Sequence, residues 1–129
     1  MKINHVQHIA INTKDIEASV AFYRDVMGLP FASKADMGGE VLHYIQVSGD
    51  TYIELFDLKG RVKNETVDED NAGLRHLAFD VDSVAEWSAY LKEKGVPFVL
   101  EITEMPLIGK RAILVEGPDG VVLELCENL

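Results

Sequence analysis

Cysteine is almost missing. The single thiol, Cys126, cannot form a disulfide within the chain, which predicts a reducing, cytoplasmic setting. Basic residues are scarce too: 12 Lys and Arg against 22 Asp and Glu leave a formal net charge of −10, which repels phosphate backbones and anionic lipid. Nucleic acid and membrane surfaces are thereby excluded as expected partners. No apolar run approaches the ~18 residues of a membrane span, and Met1–His8 lacks the apolar segment of a secretory signal. What remains is 129 residues, 47% apolar and 26% charged, enough for one shared core and a small-molecule substrate.

The chain repeats itself. Val6–Asp15 (Val-Gln-His-Ile-Ala-Ile-Asn-Thr-Lys-Asp) returns as Gly73–Asp82 (Gly-Leu-Arg-His-Leu-Ala-Phe-Asp-Val-Asp), so His76 stands 68 residues after His8. The register continues: Ser19-Val20-Ala21-Phe22 meets Trp87-Ser88-Ala89-Tyr90, and Gly28-Leu29-Pro30-Phe31 meets Gly95-Val96-Pro97-Phe98. Thr51–Phe56 then falls on Val121–Cys126, with Glu124 standing 70 residues after Glu54. Each half therefore carries one histidine and one glutamate inside an apolar strand pattern.

Taken in order, Ile3–Asn12 is predicted as a strand with His8, Ala10 and Asn12 on one face, which turns His5 the other way. Asp15 is positioned as an N-cap, and Ile16, Val20, Tyr23 and Met27 form a helical stripe that Gly28 closes. Strands follow at Phe31–Asp36, Glu40–Val47 and Thr51–Asp57, separated by Gly38-Gly39 and Ser48-Gly49-Asp50. Leu58–Ala72 loses periodicity and reads as a linker. The second copy runs through a strand at Gly73–Asp82, a helix capped by Ser83-x-x-Glu86 and ended by Gly95, and strands at Pro97–Glu104, Arg111–Glu116 and Val121–Glu127. The expectation is an α+β fold over 1–129, with tandem βαβββ modules at 1–57 and 73–129 forming a cupped mixed sheet with both helices on its outer face.

Strand alternation sorts the side chains. Ile9, Ile11, Ile53, Leu55, Leu77, Phe79, Leu123 and Leu125 form an apolar set suited to lie beneath the helices. The opposite set holds His8, Glu54, His76 and Glu124. A lone strand histidine is more often structural than a ligand, but the duplication supplies the same residue types at the same places twice. Such a group needs neutralising if shielded from water. Two imidazoles and two carboxylates suit a divalent transition metal, Zn²⁺, Ni²⁺ or Co²⁺, with Mn²⁺ or Fe²⁺ compatible.

At these residues the sequence resembles the vicinal oxygen chelate superfamily, whose paired βαβββ modules cup a divalent metal. The resemblance extends to Phe22-Tyr23-x-x-x-x-Gly28-Leu29 and to Gly117-Pro118-Asp119-Gly120 ahead of Glu124. Its extradiol dioxygenase and fosfomycin-modifying branches use three ligands, matching His8, His76 and Glu124. The glutamate at Glu54 makes the set similar to the four ligands of glyoxalase I, where methylmalonyl-CoA epimerase usually has glutamine. The resemblance thus implies a lyase or isomerase that removes a proton next to a carbonyl through a metal-bound enediolate, with Glu124 as base, Glu54 at the opposite face, and a homodimer. Asn12 and Leu58 replace an arginine and an asparagine that help hold glutathione in bacterial glyoxalase I. The implied substrate is accordingly a thiol adduct, an acyl-thioester or a hydroxycarbonyl compound. An epimerase, a dioxygenase and a metal-free antibiotic-binding protein are the competing functions.

Tyr52 and Phe56 share the face of Glu54 and are candidates to line the substrate space, with core filling as the competing reading; His43 and Arg111, on predicted strands, are further candidates to contact substrate, against a solvent-facing histidine and a salt-bridged arginine. Cys126 shares the face of Glu124 and reads as packing. Glu104–Lys110, with an apolar centre and a glycine, is either a lid or a hairpin connection.

Overall fold

A computed structural model describes residues 1–2, 4–59 and 74–129. The chain divides between Lys63 and Asn64 into two compact units. From position 60 onward the expected linker lies outside the described residues, as do Ile3 and Gly73, the expected starts of the leading strands.

In the first unit, β1 (His8–Thr13), α1 (Ile16–Ala21), β2 (Phe31–Asp36), β3 (Val41–Ser48) and β4 (Thr51–Asp57) give a sheet ordered β1-β4-β3-β2. The second unit repeats this with β5 (Leu77–Asp80), α2 (Val84–Glu93), β6 (Phe98–Met105), β7 (Lys110–Glu116) and β8 (Val122–Asn128), ordered β5-β8-β7-β6. In each unit the first and last strands pair in parallel and the other pairings are antiparallel. The architecture is α+β, two tandem βαβββ modules with a mixed four-stranded sheet apiece.

Local chemistry sets the helix ends. Asp15 accepts from the Ala18 amide at 3.0 Å, and Ser83 Oγ accepts from the Glu86 amide at 3.2 Å, satisfying donors that a helix start leaves open. The first helix departs from a continuous α-helix to Met27. Its α-winding stops at Ala21, and Phe22–Val26 is π-helical, closed by the Met27 amide on the Phe22 carbonyl at 2.9 Å. The wider turn accommodates two consecutive rings, Phe22 and Tyr23, which meet edge to face at 5.3 Å. Tyr23 and Met27 are still buried, as the stripe predicts. The second helix ends in a Schellman motif: Val96 N–H reaches the Leu91 carbonyl and Gly95 N–H the Lys92 carbonyl, both at 3.0 Å, with Gly95 at φ 71°.

One face of each sheet is covered by its helix: α1 packs on β4, and α2 on β6, β7 and β8. Ile45, Ile53 and Leu55 in the first unit and Val84, Leu91, Ile113, Val115, Leu123 and Leu125 in the second are fully buried. Each such side chain contributes about 1.5–3 kcal/mol on leaving water. The residues between them in sequence necessarily face the other way, and that second face carries the chemistry.

Register on that face depends on one irregularity. Ser48 pairs with Thr51 at the β3–β4 hairpin, and unbroken pairing would set Ile45 against Glu54. A bulge between Gln46 and Ser48 shifts the ladder by one residue, so Tyr44 lies opposite Glu54 and Ile45 opposite Ile53.

Candidate functional site

The parallel strand pairs bring histidine and glutamate together twice. On β1–β4, His8 is paired with Tyr52 and Ala10 with Glu54, putting His8, Tyr52 and Glu54 on one face. His8 Nε2 lies 4.0 Å from Glu54 Oε2. On β5–β8, Ala78 is paired with Glu124, the counterpart of Ala10 with Glu54. His76 stands one residue ahead of β5 rather than within it, and its Nε2 donates to Glu124 Oε2 at 2.7 Å.

The two pairs differ in their surroundings. Glu54 is only 7% exposed, and the Tyr44 phenol, directly across the ladder, donates to its carboxylate. That bond, and burial after it, holds the phenol proton more tightly than usual. The Tyr44 ring also meets Tyr52 edge to face at 6.2 Å. At the matching position across from Glu124 stands Leu114, which has no donor to offer. Tyr44 went unnoticed in the sequence because its placement depends on the bulge; the signal available was a polar aromatic on a strand otherwise rich in Leu, Ile and Val.

The donor set fits a metal pair by pair. His8 Nδ1 bonds to Gln7 Oε1, and with Nδ1 as donor the Nε2 lone pair is left facing Glu54 across a gap too wide for a hydrogen bond. Two facing acceptors, one on a buried carboxylate, are the arrangement a cation relieves. Bonds of about 2.0–2.2 Å from a metal to imidazole nitrogen and carboxylate oxygen place neighbouring ligand atoms roughly 2.9–3.4 Å apart. The separations of 4.0 and 2.7 Å fall on either side of that span, so a modest side-chain adjustment in each pair meets it. In the second pair a metal would displace the proton shared by His76 and Glu124. Among the described residues, no group of three or more His, Cys, Asp or Glu side chains gathers at one point; the donors come as pairs.

Of the other candidates, Tyr52 and Phe56 lie on the Glu54 face and are half-buried. His43 does not join them. It pairs with Leu55, which sets it on the helix-covered face with its ring 6.1 Å from Phe31. Arg111 is likewise turned away, paired across the ladder with Glu127 and bound to Glu104 and Glu127 at 2.6 and 2.7 Å. Glu127 in turn accepts the Val84 amide at 2.6 Å, capping α2 from a distant strand. The backbone bond first, and Arg111 with it, keep the Glu127 carboxyl below the ordinary range. The Cys126 thiol donates to the Phe79 carbonyl, and burial, with Glu124 nearby, raises its pKa; it is not a poised thiolate. Within Glu104–Lys110, Pro106–Ile108 forms a 3₁₀ turn with Leu107 and Ile108 exposed.

Comparison with known proteins agrees with this architecture. The family model described as Glyoxalase/Bleomycin resistance protein/Dioxygenase superfamily matches residues 3–125. The uncharacterized protein YwkD of Bacillus subtilis is 36% identical, over 99% of this chain and all of that protein. The metallothiol transferase FosB of Staphylococcus epidermidis is 28% identical, over 97% of this chain and 82% of its own length. The crystal structure of a glyoxalase family protein from Enterococcus faecalis superposes with a TM-score of 0.83 at 26% identity, covering 98% of this chain and 100% of that one.

Proposed function

The chain belongs to the Glyoxalase/Bleomycin resistance protein/Dioxygenase superfamily, and from that premise we propose that it is a metal-dependent lyase or isomerase of the glyoxalase I type. Its substrate is a small hydroxycarbonyl compound or thiol adduct. The observation that carries the reading is the imidazole–carboxylate pair repeated at equivalent positions of the two modules, His8 with Glu54 and His76 with Glu124. In this reading the four side chains hold one divalent ion, Zn²⁺, Ni²⁺ or Co²⁺, or else Mn²⁺ or Fe²⁺. When bound, the ion supplies a Lewis acid that stabilises negative charge developing on the substrate oxygens.

The chain's own residues do the rest. The unequal surroundings of the two carboxylates support a division of labour. Glu54, held by the Tyr44 phenol, stays as a ligand. Glu124, beside Leu114 and free of a second donor there, takes the proton from the carbon next to the carbonyl and returns it to the neighbouring carbon. Tyr52 and Phe56 wall the Glu54 side of the substrate space and keep water from it. A homodimer belongs to the same proposal, supported by the edge strand β6, which exposes Val99, Leu100 and Ile102.

The test is a panel of hemithioacetals, 2-hydroxyketones and acyl-thioesters in deuterated buffer under anaerobic conditions, reading exchange at the carbon next to the carbonyl. Chelator-treated protein should lose exchange and regain it with Ni²⁺, Co²⁺ or Zn²⁺. Full activity after exhaustive chelation, with no metal by elemental analysis, refutes the proposal.

A further inference from the structure

On the glutamate face of the first unit two phenols stand side by side, and only one of them is used within the chain. The Tyr44 phenol donates to Glu54. The Tyr52 phenol has no hydrogen-bond partner among the described residues, and its oxygen is not shut off from solvent. The polar groups around it are engaged elsewhere. Tyr52 is paired across one ladder with His8 and across the other with Gln46. His8 Nδ1 is bonded to Gln7, Gln46 Nε2 donates to the Gly49 carbonyl at 2.8 Å, and Glu54, the next residue of β4 on the same face, takes the Tyr44 phenol.

The ring itself is held. Tyr52 is half-buried, and Tyr44 meets it edge to face at 6.2 Å with the ring planes at 88°. A tyrosine fixed in this way gives an apolar body to its neighbours and keeps a polar tip for a partner. That tip also reaches farther from its own backbone than an imidazole nitrogen or a glutamate oxygen can, because the para-hydroxyphenyl group is the longest of the three side chains. The fold has no need of the hydroxyl. Gln46 opposite Tyr52 in the first unit corresponds to Glu116 opposite Val122 in the second, and Val122 is half-buried there without any donor.

We propose that Tyr52 is a specificity-determining residue whose O–H donates to a neutral oxygen of the substrate outside its reacting hydroxycarbonyl unit, an inference that rests on the function proposed above. Glu54 beside the phenol and the net charge of −10 disfavour an anionic acceptor, so the matching group is an ether, hydroxyl or carbonyl oxygen. A substrate that covers the phenol removes its water, and one that brings no acceptor leaves the O–H unpaired. A polar donor in a binding site rejects the analogue lacking its partner in this way. The preference therefore belongs to binding, and proton transfer stays with Glu124.

The experiment uses the full chain loaded with Ni²⁺ and three ketones of equal length: 1-hydroxyhexan-2-one, 1-ethoxy-3-hydroxypropan-2-one and 1-hydroxy-4-methoxybutan-2-one. The last two carry an ether oxygen in place of a methylene. Deuterium exchange at the hydroxyl-bearing carbon reads kcat and KM. For at least one ether ketone KM should be about five-fold lower than for the all-carbon ketone, with kcat alike, and Tyr52→Phe, which keeps the ring and its contact with Tyr44, should bring that ratio to about one. Tyr44→Phe should keep the ratio. In Zn²⁺-loaded protein the hydroxyl-bearing ring carbon of Tyr52, assigned by its loss in Tyr52→Phe, should shift more with that ether ketone than with the all-carbon one. No ether preference in the wild type, a ratio that survives Tyr52→Phe, or a ratio lost in Tyr44→Phe would each overturn the role of Tyr52 alone, provided the all-carbon ketone shows metal-dependent exchange. Absence of metal-dependent exchange with all three ketones would instead refute the proposed function, and this inference with it.

Discussion

Replacing Glu124 by glutamine is the change that best separates chemistry from binding. The amide keeps an oxygen that can coordinate a metal, but it cannot accept a proton. Glu124 contacts His76 at 2.7 Å, and its ladder neighbours Ala78 and Leu114 bring no group that could serve as base in its place. Loss of general-base catalysis typically costs ~10²–10⁴ in rate, or about 2.7–5.4 kcal/mol at 1.36 kcal/mol per decade. Glu54→Gln should cost less than ten-fold, because the Tyr44 phenol can donate to an amide oxygen as it does to the carboxylate. Tyr44→Phe should lower metal affinity about ten-fold, the lower end of what loss of a group supporting a ligand costs, and leave exchange at saturating metal near wild type. Exchange of the substrate proton into deuterated solvent reads the rates, and calorimetric titration of the chelated protein with Zn²⁺ or Ni²⁺ reads affinity. Wild-type exchange in Glu124→Gln with loss in Glu54→Gln would put the base on the first module. Wild-type exchange in both would refute proton transfer by these carboxylates.

Three further outcomes are expected. Ile53→Ala, at a fully buried position beneath the first helix, should destabilise the fold by about 2–5 kcal/mol in urea melts, with the glutamate beside it unchanged. Because the folded-state pKa of Glu127 is depressed, its stabilising contribution is complete above the ordinary glutamate value of about 4.3 and is lost as pH falls through the folded value. Glu127→Gln should therefore flatten the acid limb of the stability profile, measured by thermal melts between neutral and acid pH. Sedimentation should give about twice the chain mass of 14.3 kDa, and a concentration-independent monomer would refute the dimer.

Much of this was legible in the sequence for a physical reason: a strand alternates with period two and a helix with period 3.6, so side-chain type sorts by face without any knowledge of neighbours. Ile53, Leu55, Leu123 and Leu125 are buried and Glu54 lies opposite to its two leucine and isoleucine neighbours, as alternation requires. The caps at Asp15 and Ser83 and the left-handed glycines at 28 and 95 are equally local, since each depends on a few consecutive residues. The duplication was visible because both modules meet the same local demands.

What alternation cannot reach is pairing between strands. His43 was read from its strand as a substrate contact or a solvent-facing residue; that it is buried on the helix face follows from pairing with Leu55. For Arg111 the salt-bridged reading holds, and strand pairing supplied the partners, Glu104 and Glu127. One inserted residue at the β3–β4 hairpin decides that Tyr44, and not Ile45, stands beside Glu54. The sequence by itself determined which residue types recur on each strand and where the helix caps fall, because those are settled by nearest neighbours along the chain. Only the tertiary structure decided which of the two glutamates has a phenol for company, because a ladder shifted by a single residue turns a whole strand over and no local preference records the shift.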